Sequence, residues 1–142
     1  MSALGLKIID ESVQQANIWI NEVDERAGWG NKQRAYRLLR SVLHAIRDHL
    51  SVDEAAQLAA QMPIMIRGIY YEGWDPSKTP VRDRTRAAFL QGIQRDFRSD
   101  PLGDEAAAVG AVLDTLDHRI SEGEMNNVRR SFSKDIRGLF FD

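Results

Sequence analysis

Residues 42–72 fall without a gap on residues 112–142 when the chain is shifted by seventy positions. Val42, Leu43, Ser51, Glu54, Ile66, Arg67 and Gly68 then meet Val112, Leu113, Ser121, Glu124, Ile136, Arg137 and Gly138. Ordinary residue frequencies give roughly two identities over such a stretch, so these seven mark a duplication. The mismatches keep their chemistry, as in Leu58/Val128, Met62/Phe132, Tyr70/Phe140 and Glu72/Asp142. The expected architecture is one structural unit used twice. Any special site then lies between the copies or belongs to one of them.

Periodicity supplies the unit. Leu6, Ile9, Val13, Ala16, Ile20, Val23 and Ala27 alternate at three- and four-residue spacings, which predicts an amphipathic helix ended by Gly28 and Gly30. A second stripe runs through Tyr36, Leu39, Leu43, Ile46 and Leu50, and a third through Ala55, Leu58, Met62, Ile66 and Ile69. Between them, Ser51-Val-Asp-Glu54 has the capping-box pattern, in which serine takes the N3 amide and glutamate reaches back to the cap amide. Pro63 is expected to kink or divide the third helix.

The polar segment 73–84, GWDPSKTPVRDR, is the predicted connector. Beyond it the plan repeats: Phe89, Leu90, Ile93 and Phe97 stand opposite Trp19, Ile20, Val23 and Ala27. Asp100-Pro101 is a predicted helix start, followed by the stripe Ala106, Val109, Leu113, Leu116 and Ile120. Ser121-Glu-Gly-Glu124 then opens a helix through Met125, Val128, Phe132, Ile136 and Leu139, with Ser133 in place of the proline. No segment alternates with period two long enough for a strand. The prediction is an all-α fold of two three-helix repeats, six main helices in all, about an approximate two-fold axis. Residues 1–142 are expected to make one domain, with copies at 1–72 and 85–142.

The stretch AYRLLRSVLHAIRDHLSVDEAAQLAAQMPIMIRGIYYEGWDP, followed by the weaker copy ending IRGLFFD, resembles the bacterial family catalogued as domain of unknown function 2267. The resemblance covers most of the chain and implies a small all-helical protein. It brings no catalytic residues with it.

Composition narrows the function classes. With no cysteine, disulfides and thiol catalysis are excluded, and a cytoplasmic location is the expectation. The net charge of −2 removes the simple electrostatic case for nucleic acid. No apolar run approaches the roughly 20 residues that span a bilayer, and the start MSALGLKIIDES has no secretory pattern. No glycine-rich phosphate loop or Gly-x-Ser-x-Gly elbow is present.

Three groups of residues remain as candidates. His44 and Asp48 stand four apart on the second helix, and Asp114 and His118 repeat the pair in reverse. Two imidazoles and two carboxylates suit zinc or a similar divalent ion if the two helices face each other. Against this, positions 44 and 48 lie about 140° and 180° round the helix from the apolar stripe, at roughly 100° per residue, which predicts a solvent face. The second group is the shared Arg-Gly-aromatic-aromatic-acid sequence, from Arg67 to Glu72 and from Arg137 to Asp142. Its glycines suggest close helix crossing or a helix end, and Arg67 and Arg137 suit an anion or a partner carboxylate. Only the first copy has Tyr70, Tyr71 and Trp74, an asymmetric aromatic patch suited to a ligand or partner, unless these rings belong to the core.

The third group is basic: Arg82, Arg84 and Arg86, then Arg129, Arg130 and Lys134. Interleaved Asp83, Asp96, Glu122 and Asp135 favour a solvated, salt-bridged face over phosphate binding. The expected function is a non-enzymatic interaction or binding module with a protein partner or self-association, in a stress-associated or accessory role. No cofactor, nucleic acid or membrane is expected. The alternative is a small-molecule or divalent-metal-binding protein, enzyme or not, that uses the cleft between the copies.

Overall fold

The computed structural model describes residues 3–141, and the side chains of residues 3–140. Asp142, the acid of the second Arg-Gly motif, lies outside them. Among the described residues there are eight α-helices, one 3-10 turn and no strand. They are α1 (Lys7–Ala27), α2 (Lys32–His49), α3 (Val52–Ala59), α4 (Ile64–Tyr71), the turn Pro76–Lys78, α5 (Arg86–Asp96), α6 (Glu105–Arg119), α7 (Glu122–Ser131) and α8 (Lys134–Phe141). None is long and apolar enough to cross a membrane.

Eight helices replace the expected six because each third helix divides. In the first copy Pro63 becomes the N-cap of α4, with φ −59° and ψ 154°. The second copy divides at the same place without a proline. Phe132 is extended at φ −89° and ψ 155°, and Ser133 Oγ accepts from the Ile136 amide at 3.3 Å. What the breaks share is a large apolar residue turned into the core, Met62 at 2% and Phe132 at 3% exposure.

Local signals explain most helix ends. Gly28 takes a left-handed φ of 69° and returns its amide to Asp24 O at 2.8 Å, which closes α1. Asn31, Ser51 and Ser121 each accept the amide three residues on. Asp100-Pro101, however, does not begin a helix. Asp104 caps α6 instead, and Arg34 donates to Asp100 Oδ2 at 2.9 Å and Pro101 O at 3.0 Å.

Helix α2 is the centre of the molecule, touching α1, α3, α4, α5 and α6. Helix α1 also packs on α6, and α3 on α7. Buried apolar residues from all eight helices make one continuous cluster. The stripe of α1 is only half used. Ala16 and Val23 are buried, whereas Leu6, Ile9 and Val13 remain 45–49% exposed.

Candidate functional site

Because α2 also packs on α4 and α5, the face carrying His44 and Asp48 is not the open solvent face that the stripe predicts. It forms one wall of a cleft of about 470 Å³, closed by the end of α4, the connector and α5. Ser41, His44, Asp48 and His49 line it from α2, Glu72, Val81 and Asp83 from the connector side, and Phe89, Gly92, Arg95 and Asp96 from α5. The Val81 amide donates to Asp48 O at 2.8 Å and fastens the connector to α2.

Most polar groups here are already engaged. His44 Nε2 donates to Ile69 O at 2.7 Å, so its Nδ1 is an acceptor. Burial holds this imidazole below its ordinary range, with the charges of Arg47 and Arg40 acting the same way against the bond to Ile69. Arg40 pairs with Glu72, and Ser41 Oγ donates to Asp96 Oδ2 at 2.7 Å. Arg47, 4% exposed, donates to Tyr70 O and Glu72 O at 2.8 Å and to the Asp48 carboxylate.

Two groups are left over. His49 Nδ1 donates to Ala45 O at 3.0 Å, which makes Nε2 the acceptor of the neutral ring. That Nε2 is buried and meets no donor. The Arg95 guanidinium lines the same cleft and has no hydrogen bond or ion pair among the described residues. A cleft of this volume is within the usual range for small-molecule sites.

The metal constellation does not assemble. His118 Nδ1 turns to Glu22 on α1, at 2.9 Å from both carboxylate oxygens, and Arg119 joins it at 2.8 Å. Burial pushes the Glu22 carboxyl up, but its bonds from Arg26, His118 and Arg119 outweigh that and hold it low. Asp114 is exposed in a separate hollow beside Arg26 and Gly110. Among the described residues no three His, Cys, Asp or Glu side chains are placed to hold a metal ion. The cause is that α6 presents this face to α1, while α2 presents its own to α4 and α5.

The aromatic patch also separates. Tyr70 is fully buried and donates to Ala55 O at 2.9 Å, so it belongs to the core. Arg67 closes the end of α3, donating to Ala59 O at 3.0 Å and Met62 O at 2.9 Å. Tyr71 and Trp74 remain half-buried and stacked at 5.3 Å, with the indole N–H on Thr79 Oγ1 at 3.3 Å. Arg137 lies apart, beside a groove formed by α7 and α8.

The family description uncharacterized conserved protein (DUF2267) matches residues 16–139. The chain belongs to that family. The expected resemblance is thereby established, and the DUF2267 match takes in every residue of the cleft. Comparison with curated proteins gives no match.

Sequence reasoning missed Arg47, His49, Arg95 and a pair of glutamates. Arg47 follows Leu43 by four residues, so a cation on the apolar side was visible. Glu54 and Glu124 were assigned to the backward half of their capping boxes. Instead the Ser121 amide donates to Gln61 Oε1 at 3.0 Å. The two carboxyls meet where α3 packs on α7, and Glu54 Oε1 and Glu124 Oε2 are buried without a donor. Burial pushes the Glu54 carboxyl up to about 7, helped by the adjacent Glu124 carboxyl and its charge, with Arg130 opposing.

Proposed function

We propose that this DUF2267 protein is a non-enzymatic binding module whose ligand site is the cleft between α2, the connector and α5. The observation that carries the reading is the pair of unsatisfied groups there, the buried His49 Nε2 and the unpaired Arg95 guanidinium. They suit a small molecule with a hydrogen-bond donor at one end and a carboxylate or similar anion at the other. We also read the molecule as one unit used twice about an approximate two-fold axis. In support, α1 packs on α6 as α5 packs on α2, while α2 meets α6 and α3 meets α7. On that reading the cleft is built from both copies.

The test is a thermal-shift screen of small carboxylates against the wild type, Arg95→Ala and His49→Ala. Compounds that raise the wild-type midpoint and lose the effect in Arg95→Ala support the site. Equal shifts in all three proteins reject it.

A second reading, self-association through α1, is favoured by the exposed apolar stripe Leu6, Ile9 and Val13. Its occupant is a second copy pairing the same stripe about a two-fold axis. Sedimentation showing a dimer that Ile9→Glu dissociates supports it, and a wild-type monomer at micromolar concentration rejects it.

A further inference from the structure

The charges around the cleft between α2, the connector and α5 do not cancel in pairs. Four carboxylates and three arginines line it. Asp48 pairs with Arg47, and Glu72 with Arg40. Asp83, Asp96 and Arg95 are left, and none of the three has an ion pair among the described residues. One cation and two anions of the cleft thus lack a counter-charge.

Each of these charged heads is placed by a neighbour. Gly92 lines the cleft, and Arg95 Nη2 lies 3.6 Å from where a Cβ on that glycine would stand, so the guanidinium folds back along α5 at the cleft wall. Asp96 Oδ2 takes the Ser41 hydroxyl of α2 at 2.7 Å. Asp83 Oδ1 takes the hydroxyl and amide of Thr85 at 2.7 and 3.1 Å. Those bonds hold the Asp83 carboxyl below its ordinary range, and the neighbouring His49 acts the same way. The His49 ring in turn packs on Phe89, with centroids 5.3 Å apart. Phe89 and Gly92 are three residues apart on α5, roughly 4.5 Å along a helix axis. The His49 end and the Arg95 end of the cleft are therefore a short carbon chain apart.

A bare carboxylate on Arg95 leaves the two anions and the His49 acceptor unanswered. An ammonium group on the same ligand supplies both a counter-charge and donors. Of the two acids, Asp83 is the one that shares its end of the cleft with the orphaned His49 nitrogen. Building on the cleft as the ligand site, we propose that the ligand is a short amino carboxylate, with its carboxylate on Arg95 and its ammonium on Asp83 beside His49.

Calorimetric titration of the full chain at low salt tests this with glycine, β-alanine and 4-aminobutanoate, each beside its counterpart without the amine, acetate, propanoate or butanoate. At least one amino compound is expected to bind roughly tenfold or more tightly than its counterpart, as for gain of one charged hydrogen bond. Asp83→Asn keeps the acceptor for Thr85 and should abolish that preference while leaving carboxylate binding in place. Asp96→Asn should keep the preference, and Arg95→Ala should lose both sets of ligands. Melting curves establish that each variant is folded, and the wild-type comparison stands without any of them. Equal binding of amino compounds and counterparts, both lost in Arg95→Ala, would overturn the amine and leave the cleft as a carboxylate site. A preference that survives Asp83→Asn, or is lost only in Asp96→Asn, would overturn the placement, and propylamine binding as tightly as 4-aminobutanoate would overturn the carboxylate contact. Binding of none of these compounds would also overturn the proposal, with the wider carboxylate screen deciding the cleft itself.

Discussion

Glu54 and Glu124 occupy the same place in two capping boxes, and each has left its box to face the other. Two carboxylates at one buried contact cannot both ionise cheaply, so a proton held by the pair supplies the donor that the ionised oxygens lack. The Glu54 carboxyl, at about 7, lies above its ordinary 4.5, so the folded chain holds this proton more tightly than the unfolded chain does. The stabilisation is therefore complete below about pH 4.5 and is lost as the pH rises through about 7. Glu54→Gln removes that titration. Its melting temperature relative to wild type should rise between about pH 5 and about pH 8, and parallel curves would refute the shared proton. The glycines of the two Arg-Gly pairs behave differently. A Cβ on Gly68 meets nothing within 4 Å, and nothing in the structure explains that glycine. Gly68→Ala should gain about 1 kcal/mol of helix stability, or about 2–4 °C in melting temperature. A Cβ on Gly138 would come within 2.2 Å of the Arg86 guanidinium, so the same change there should gain less.

Helix α2 is joined to the end of α4 by Arg47, whose repeat counterpart is Asp117. Its removal leaves two carbonyls and the Asp48 carboxylate without their donor. Arg47→Ala should cost about 3 kcal/mol in denaturant unfolding, and Arg47→Met, which restores bulk but no donor, should recover only part. Periodicity made the elements legible where burial is one-sided. Leu43, Leu50, Leu58, Leu116 and Val128 are all buried as their stripes predict. It failed where a helix packs on more than one face, because a stripe assigns one inner face and α2 touches five other helices. It also failed at Leu6, Ile9 and Val13, where the pattern continues but no partner helix does. Division at Ser133 was hidden because no proline marks it.

In the molecule as a whole, matched positions do unlike work. His44 bonds to Ile69 O beside the cleft, while His118 bonds to Glu22 on α1. Arg67 closes a helix while Arg137 lines a groove. Differences between the copies drew attention to Tyr70, Tyr71 and Trp74, but the sequence alone could not show which helix would cover which face. His49 and Arg95 were unremarkable as residues because their significance comes from an inter-helix cleft that no local pattern encodes. That cleft as ligand site is most directly tested by amide chemical-shift mapping of the labelled protein with a small carboxylate found by thermal shift. Perturbations should concentrate at Ser41, His49, Val81, Gly92 and Arg95 and disappear in Arg95→Ala. Perturbations confined to other faces, or unchanged in the variant, would contradict it.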